Sequence, residues 1–422
     1  MNEKPTTWAE VDESGRLVLP AEVTAQYGLN HGAQVRIDQV DNYFRVHRPV
    51  THLAKVYVEP TNKCNLTCRM CMHRTWEEPL GEMSWEVFTS ILDSVKGLPE
   101  IPTIFFGGLG EPLSHPHIIR MISQVKTLQM KTQQSKVELI TNGTLLGEDC
   151  AQQLVEIGLD RIWISVDGAT PESYADIRLG AAFEEVVDNI KTLKHLRSGG
   201  HFPKPEIGIV FVAMKRNIAD LPAVIRLGRK LGARQFLITN VLPYSVETQG
   251  EMLYQRSLRN ITYLPSMWFP KLNMPKMQFD DNVRQSFYEA LNSGCNVTFA
   301  GHNLGGTNDV CTFIESGSIT VAWDGNLSPC PPLSHNHLSY LHKTTHLSRR
   351  QILGNIKECD LLDVWNNSEY VAYRQRVQQY VFAPCSSCGG CDLSESNEAD
   401  CYGNTFPACG SCLWAQGVIQ CP

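Results

Sequence analysis

The segment KVYVEPTNKCNLTCRMC, residues 55–71, joins a short apolar strand to three closely spaced cysteines. Its first residues are rich in the β-branched and aromatic side chains that favour a buried strand. Cys64, Cys68 and Cys71 follow directly and can hold one iron-sulfur cubane in a loop, because soft sulfur ligands favour iron-sulfur chemistry. Zinc is the alternative, but it would need a fourth protein ligand, for which His73 is the nearest candidate. The pattern therefore predicts a metal-binding loop at the end of a strand.

Apolar strands alternate with amphipathic stretches after this loop. The predicted strands are KVYVEP, TIFFGG, VELITN, RIWISVD, EIGIVFVA and RQFLITN. The stretches SWEVFTSILDSV, EEVVDNIKTLKHL and LPAVIRLGRKLG have the apolar spacing of helices. This order produces a parallel sheet, and right-handed crossovers would wind it into a partial (β/α)6 barrel of the α/β class. Functional groups then lie on the loops after the carboxyl ends of the strands.

Composition and charge exclude several classes of protein. Of the 422 residues, 42% are hydrophobic and 19% are charged, which is typical of a globular protein with about two to four folded units. The sequence has no uninterrupted apolar run long enough for a membrane span, and its start, MNEKPTTWAE, lacks a secretory signal. We therefore expect a cytoplasmic protein without membrane contact. A net charge of -7 gives no broad basic surface for nucleic acid.

The cysteines are unevenly distributed. In a reducing compartment, the 15 cysteines of this chain favour metal ligation over a disulfide framework. Seven of them lie between Cys385 and Cys421, in a tail with too little apolar sequence to hold a core unaided. Metal clusters would supply the missing stability. Cys150, Cys295 and Cys359 lack neighbouring ligands, so we expect them to be buried thiols.

The spacing C-x3-C-x2-C is the signature of the radical S-adenosylmethionine (SAM) family, and the chain is identified as a member of that family on this motif. The resemblance implies a 4Fe-4S cluster with three cysteine ligands and one open iron. The amine and carboxylate of SAM chelate this iron in the family. Reduction then cleaves SAM and produces a 5'-deoxyadenosyl radical, so the cofactor supplies the difficult chemistry.

The family resemblance also implies a set of SAM contacts. FFGGLGEP looks like the family's glycine-glycine-glutamate motif, and an arginine in SYADIRLG resembles the one that pairs with the SAM carboxylate. Polar residues at the ends of the third and fourth strands would face the ribose and methionine, although they could also cap helices. A methionine beside the third cysteine would lie near adenine or pack in the core. The implied residues are Met70, Gly107, Gly108, Gly110, Glu111, Glu138, Asn142, Ser165, Asp167 and Arg178.

The carboxyl-terminal region resembles a second family feature. Cys311, Gly325 and Cys330 form a C-x13-G-x4-C hairpin, similar to the SPASM extension that carries auxiliary 4Fe-4S clusters. Two auxiliary clusters would need about eight ligands, and the candidates number nine. These candidates are Cys311, Cys330, Cys385, Cys388, Cys391, Cys401, Cys409, Cys412 and Cys421.

These candidates divide into two expected groups. We expect the two hairpin cysteines in the nearer cluster and the run Cys385, Cys388 and Cys391 in the farther one. The alternative is a zinc ribbon that uses two C-x2-C knuckles. Its ligands would be Cys388, Cys391, Cys409 and Cys412. His335 and His337 are expected in an exposed loop.

The amino-terminal segment forms a separate predicted unit. VDESGRLVLPAEV and YGL resemble the swapped-hairpin fold of AbrB-type transcription factors, whose members dimerise and bind DNA. The first 50 residues hold seven acidic and five basic side chains, a poor surface for phosphate contacts. We therefore expect dimerisation or partner docking here, and not DNA binding.

Four segments result from these observations. They are an AbrB-like domain (1–50), a radical SAM partial barrel (51–240), a bridge (241–310) and a SPASM-type domain (311–422). The bridge is rich in methionine and aromatic residues, which could line a substrate cavity or fill gaps between domains.

Longer segments of the sequence resemble one group of enzymes within the radical SAM family. YVEPTNKCNLTCRMCMHRTWEEPLGEMSW, SVDGATPESYADIRLGAA and CGSCLWAQGVIQCP are similar to radical SAM/SPASM maturases associated with tungsten-dependent oxidoreductases of the aldehyde ferredoxin oxidoreductase type. This implies a reducing electron donor and action on the partner's pterin cofactor or polypeptide. A peptide maturase that crosslinks or oxidises side chains is the alternative. An iron-sulfur redox-sensing regulator is a third hypothesis, which the intact glycine-rich SAM segments disfavour.

Overall fold

A computed structural model describes most of the chain. The described residues are 7–40, 43–98, 100–129, 135–197, 203–254, 271–274, 296–299, 302–303, 311–341, 344–388 and 391–422. Cys295 and most of the predicted bridge lie outside them, and only the backbone is described for Cys388. No helix among the described residues is long and apolar enough to cross a membrane.

Two short hairpins and one helix form the amino-terminal unit. Strands β1 (Glu10–Val11) and β2 (Leu17–Val18) pair antiparallel, and helix α1 (Ala21–Tyr27) follows them. Strands β3 (Ile37–Val40) and β4 (Tyr43–Val46) form the second antiparallel pair. The AbrB-type resemblance of this unit stays a prediction.

This unit exposes much of its apolar surface. Trp8 is 83% exposed, Val11 68%, Ile37 55% and Phe44 56%, and α1 buries none of its residues. Two-stranded hairpins are marginally stable by themselves. Its contacts with the rest of the chain include the bond of 2.9 Å between His47 Nδ1 and Glu315 Oε1.

Six parallel strands form the barrel wall. They are β5 (Lys55–Val58), β6 (Thr103–Phe106), β7 (Val137–Thr141), β8 (Arg161–Ser165), β9 (Glu206–Ala213) and β10 (Ala233–Asn240). Each strand pairs in parallel with the next in chain order. All six predicted strands are therefore confirmed, and so is the α/β class.

Helices cover the outer face of this sheet. They are α2 (Trp85–Lys96), α3 (Ile118–Gln129), α4 (Glu148–Ile157), α5 (Pro171–Ile177), α6 (Phe183–Leu196) and α7 (Leu221–Lys230). The short α8 (Val246–Gln249) follows β10. The three predicted helical stretches correspond to α2, α6 and α7. Ser84 caps α2 by accepting a hydrogen bond from Val87 N, which explains why the helix begins there.

Two apolar cores lie on opposite faces of the sheet, because alternate side chains of a strand point in opposite directions. The outer core packs the sheet against the helices and includes Val56 and Ile104. The inner core fills the barrel with the rings of Tyr57, Phe105 and Trp163, and it continues into the carboxyl-terminal region. The functional loops therefore rest on a sheet that is packed on both faces.

The carboxyl-terminal region extends the barrel sheet. The described strands of the predicted bridge, β11 (Lys271–Met274), β12 (Asn296–Phe299) and β13 (His302–Asn303), form a separate three-stranded sheet. After helix α9 (Thr312–Glu315), strand β14 (Ser318–Val321) pairs in parallel with β5. The sheet continues from β14 into β15 (Asn326–Ser328) and ends at β18 (Gly354–Asn355), while β16 (His337–Leu341) and β17 (Thr344–Ser348) form a separate hairpin. The predicted auxiliary hairpin is thus a direct neighbour of the strand before the cysteine loop.

The last helical segment differs from its prediction. The sequence LLDVWNNSEYVAYRQRV predicts one helix, but the structure has α10 (Leu361–Asn366) and α11 (Ser368–Gln379). Asn367 separates them, and its side chain caps α11 by accepting hydrogen bonds from Glu369 N and Tyr370 N. Asparagine favours such caps over helix interiors. The short helix α12 (Cys385–Cys388) follows.

Candidate active site at the mouth of the barrel

The three predicted ligands Cys64, Cys68 and Cys71 lie in the loop that leaves the carboxyl end of β5. Backbone bonds from Thr67 N to Leu179 O (3.2 Å) and from Arg69 N to Ile177 O (2.9 Å) tie this loop to the end of α5. Burial raises the pKa of Cys64 and raises the pKa of Cys71 to about 12. Ligation must therefore displace protons from these thiols.

The donor set fits an iron-sulfur cluster. Three soft thiols share one tethered loop, and the alternative fourth zinc ligand, His73, uses Nε2 to contact Leu109 O at 2.8 Å. In the part of the chain that the structure describes, no three His, Cys, Asp or Glu side chains already converge as a metal site. Cys64, Cys68 and Cys71 would hold the cluster, and the SAM chemistry would take place at its open iron.

The glycine-rich segment after β6 packs directly on the cysteine loop. A Cβ atom on Gly108 would lie 2.5 Å from Glu59 Cγ, and one on Gly110 would lie 2.3 Å from Thr61 O and 2.4 Å from Lys63 O. A Cβ atom on Gly107 would lie 2.6 Å from Ile140 Cγ2. Glycine is needed here for close approach between two functional loops.

Replacing Gly110 with alanine is expected to displace the cysteine loop, because backbone oxygens on both sides cannot move aside as a flexible side chain can. We expect a loss of about 2–3 kcal/mol in the free energy of unfolding and reduced iron incorporation, measured by thermal unfolding and iron analysis. Gly147→Ala is the matched control, since a Cβ atom there has no neighbour within 4 Å. Equal iron content in the two variants would contradict this role of Gly110.

Glu111 connects the glycine-rich segment to the end of β7. Its buried carboxylate accepts hydrogen bonds from Leu113 N (3.0 Å), Thr141 Oγ1 (2.7 Å) and Asn142 N (2.7 Å). Burial raises the pKa of Glu111, although these bonds act in the opposite direction. A carboxylate has about four acceptor positions. Three protein donors therefore leave one position for a ligand.

Asn142 holds the cysteine loop from the other side. Its Nδ2 donates to Asn65 Oδ1 at 2.9 Å, and Asn65 Nδ2 donates to Thr144 Oγ1 at 2.8 Å. Asn65 follows the first cysteine ligand directly. The structure therefore brings Asn142 to the predicted site, where its recorded contacts are with protein.

Glu138 does not lie with the other predicted SAM contacts. It is the second residue of β7, about 13 Å along the strand from Asn142. Its carboxylate accepts from Arg161 Nη1 at 3.2 Å and from Trp163 Nε1 at 3.1 Å inside the barrel. The prediction placed it by sequence proximity to the strand end, but the extended backbone carries it toward the opposite end of the barrel.

Asp167 and Arg178 form a buried ion pair beside the second cysteine. Asp167 Oδ2 accepts from Arg178 Nε at 2.7 Å and from Nη2 at 2.6 Å, while Arg178 Nη1 points at Cys68 Sγ, 3.9 Å away. Although burial acts against its charge, Asp167 and Cys68 hold the pKa of Arg178 above its ordinary value. Ser165 ends β8 two residues before Asp167. Met70 is buried in the outer core, so packing is its recorded contact.

A buried pair that was not predicted joins this site to the carboxyl-terminal region. Glu59 Oε1 accepts from Leu109 N at 3.0 Å, and Glu59 Oε2 contacts His335 Nε2 at 2.8 Å. The prediction of an exposed loop at His335 and His337 is wrong, because their exposed fractions are 4% and 8%. Local sequence could not reveal this burial, since the partner of His335 lies 276 positions away.

Four cysteines of the carboxyl-terminal region surround one cavity. Cys311, Cys330, Cys409 and Cys412 all line it, together with apolar side chains of the inner core. Four thiols are the usual donor set of a 4Fe-4S cluster. The zinc-ribbon alternative groups Cys409 and Cys412 with Cys388 and Cys391, whereas here they line a cavity with Cys311 and Cys330. The sequence did not predict this set of four cysteines, because the 311/330 pair and the 409/412 pair are far apart along the chain.

The other candidate ligands lie elsewhere. Cys385, Cys391 and Cys401 do not line this cavity. Cys421 accepts a hydrogen bond from Trp414 Nε1 at 3.1 Å. No cysteine whose side chain is described forms a disulfide bond. Cys150 and Cys359, predicted as buried, are half-buried.

The segment around Cys421 bridges the first and last strands of the barrel. Asn240 Nδ2 donates to Val418 O at 2.9 Å, at the end of β10. Lys55 Nζ and Tyr57 Oη donate to Pro422 O, at 2.8 and 2.9 Å, from inside β5. This segment therefore contacts both β10 and β5. Burial lowers the pKa of Lys55 to about 8.

Comparisons with known proteins agree with this arrangement. Residues 58–227 match the Radical SAM superfamily, and residues 311–392 match SPASM, an iron-sulfur cluster-binding domain. The tungsten-containing aldehyde ferredoxin oxidoreductase cofactor-modifying protein of Pyrococcus furiosus is 30% identical over 371 residues, covering 87% of this chain and 96% of that protein. The PqqA peptide cyclase of Gluconobacter oxydans is 24% identical over 373 residues, covering 86% and 92%.

A solved structure shares the fold. Native anSMEcpe with bound AdoMet superposes with a TM-score of 0.52 at 19% identity, covering 81% of this chain and 87% of that one. The cysteine loop, the glycine-rich segment and the auxiliary cavity thus lie in a known scaffold. The chain belongs to the radical SAM superfamily, as a SPASM enzyme that uses SAM, a 4Fe-4S cluster and auxiliary iron-sulfur clusters.

Proposed function

We propose that this enzyme matures a tungsten-dependent oxidoreductase by modifying its pterin cofactor or its polypeptide. The similarity to the Pyrococcus furiosus protein carries this proposal, because it extends over 87% of this chain and 96% of that protein. Fold alone would not support a substrate, since one scaffold can serve many reactions.

The residues at the barrel mouth would bind and orient SAM. Cys64, Cys68 and Cys71 would hold the cluster, which together with SAM supplies a radical that removes a hydrogen atom from the substrate. The free acceptor position of Glu111 suits the SAM ammonium. Arg178 has donors left beyond those bound to Asp167, and these suit the carboxylate. Glu111 would thus hold the ammonium of SAM, and Arg178 would hold its carboxylate.

The auxiliary cysteines would serve redox steps near the substrate. We propose that Cys311, Cys330, Cys409 and Cys412 hold the nearer cluster, because they line one cavity next to the inner core. The farther cluster would draw its ligands from Cys385, Cys388, Cys391, Cys401 and Cys421. Either cluster could relay an electron from the reducing donor or accept one from a substrate radical.

Coexpression with the partner oxidoreductase tests the proposal. The tungsten oxidoreductase would be purified from cells that express either the wild-type enzyme or the Cys64→Ala, Cys68→Ala, Cys71→Ala variant. We expect the variant to abolish oxidoreductase activity or a defined mass difference in the cofactor or polypeptide. Identical activity and identical masses from both strains would refute the maturation function.

A peptide substrate is the second candidate, favoured by the similarity to PqqA peptide cyclase. Crosslinking within a peptide removes two hydrogen atoms, so mass spectrometry of a precursor peptide incubated with reduced enzyme and SAM distinguishes it from cofactor modification. Loss of two hydrogen atoms from a peptide encoded beside the enzyme, with no change in the activity or mass of the oxidoreductase, would favour a peptide substrate.

The exposed face of the amino-terminal unit is the proposed site of a homodimer. Val11, Ile37 and Phe44 are each more than half exposed there, and burial of such side chains stabilises association. A cytoplasmic location, the absence of DNA binding and the four segment boundaries likewise remain predictions. Sedimentation velocity of the purified enzyme would test the dimer.

A further inference from the structure

A basic pocket lies at the amino-terminal ends of strands β7 to β10, on the face of the barrel opposite the cysteine loop. Its volume of about 570 Å³ is within the range of small-molecule sites. Six cationic and two carboxylate side chains line it, an excess of four positive charges in a protein whose net charge is -7. The cationic residues are Lys136, Arg161, Arg197, Lys204, Arg229 and Arg234.

The two carboxylates are already engaged. Asp160 accepts from Lys204 Nζ at 2.5 Å and from Lys126 Nζ at 2.7 Å, the latter on α3 outside the pocket. Glu206 accepts from Arg161 Nη2 at 2.7 Å. Each carboxylate of the pocket is therefore already bound to one of its cations, and Arg161 also donates to Glu138 Oε1 at 3.2 Å.

Arg197 shows that this charge is incompletely compensated. The residue is 8% exposed, and its Nη1 and Nη2 donate to the carbonyl oxygens of Pro205 and Gly232, each at 2.7 Å. Its Nε is buried and has no hydrogen-bond partner among the described residues. Burial and the charge of Arg234 lower the pKa of Arg197. A buried guanidinium bound to neutral oxygens and next to a second cation favours an anionic ligand.

We propose that this pocket binds an anion that carries two phosphate groups. Each phosphate carries a charge of about -1.5 to -2 near neutral pH, so two of them would balance the excess of positive charge. The planar guanidinium groups suit phosphate oxygens, to which they donate pairs of hydrogen bonds. A free diphosphate and the diphosphate of a nucleotide share this chemistry. The site is separate from the barrel mouth and goes beyond the proposed maturation function.

Calorimetric titration of the anaerobic holoenzyme tests the proposal with inorganic pyrophosphate and ADP, and with inorganic phosphate for comparison. We expect saturable binding of pyrophosphate, weaker binding of phosphate, and weakening at higher salt. Arg229→Gln should weaken pyrophosphate binding about tenfold. Arg226→Gln is the matched control, because Arg226 is exposed on the same helix α7 and does not line the pocket. Binding should persist in the Cys64, Cys68, Cys71 variant.

ADP distinguishes the two sources of the ligand. Binding of both compounds supports a nucleotide, and binding of pyrophosphate alone supports a free diphosphate. No saturable binding of either compound, or equal weakening in the Arg226 and Arg229 variants, would overturn the proposal. Binding of a glutamate-rich peptide without binding of pyrophosphate would also overturn it, because the pocket would then be a protein-docking surface.

Discussion

Replacing Cys64, Cys68 and Cys71 together with alanine is expected to abolish 5'-deoxyadenosine formation and to remove about four iron atoms per chain. The effect should be complete, because the cofactor carries the bond cleavage. The auxiliary region should keep its iron, since its cysteines line a different cavity. The measurements are iron analysis, electron paramagnetic resonance of the reduced protein, and chromatography of the nucleoside product.

Cys150→Ala is the control for this experiment. Cys150 is a half-buried thiol on α4 and does not belong to the three-cysteine loop, so its removal should change neither the iron content nor the product. Retention of 5'-deoxyadenosine formation in the triple variant would show that another set of ligands holds the SAM cluster.

Local sequence was sufficient to predict the barrel and its first loop. The strands β5 to β10 alternate with helices, and this pattern is readable within windows of about 11–18 residues. The three cysteines share one loop with Asn65, and therefore their proximity needed no knowledge of distant contacts. The glycine-rich segment was placed correctly for the same reason, because it ends the next strand.

Contacts between distant segments explain what the sequence could not predict. Cys330 and Cys409 line one cavity although 78 residues lie between them. The burial of His335 depends on Glu59, at the end of β5. Glu138 illustrates the opposite error, since nearness in sequence to a strand end did not bring its side chain to that end.

Replacing His335 with glutamine is expected to lower the free energy of unfolding by about 3 kcal/mol, because it leaves the Glu59 carboxylate buried without its cationic partner. The exposed fractions of Glu59 and His335 are 2% and 4%, so solvent cannot compensate. The thermal midpoint of the holoenzyme should fall by about 3 °C. SAM affinity should fall as well, since the other Glu59 oxygen holds Leu109 N in the glycine-rich segment.

The loss of stability in the His335→Gln variant should depend on pH. Burial lowers the pKa of His335. The hydrogen bond to Glu59 and the charges of Glu59, Glu78 and Asp324 raise it, and the net shift is upward. A raised pKa means that the folded protein holds this proton more tightly than the unfolded chain does. The stabilisation is therefore fully present below the unfolded value of about 6.5 and is lost as the pH rises through the folded value. Burial and the charge of His335 in turn lower the pKa values of the neighbouring His73 and His337.

His337→Gln and a double-mutant cycle separate this charge effect from a packing effect. Burial lowers the pKa of His337 to about 4, so this neighbour is neutral and its replacement should cost little and show no pH dependence near neutrality. Glu59→Gln should cost as much as His335→Gln, whereas the double variant should cost far less than the sum, because no unpaired charge remains. Additive losses in the cycle would show that the two side chains act independently. A strong coupling at low pH that fades at high pH would instead establish that the carboxyl-terminal region holds the SAM-binding segment through one buried ion pair.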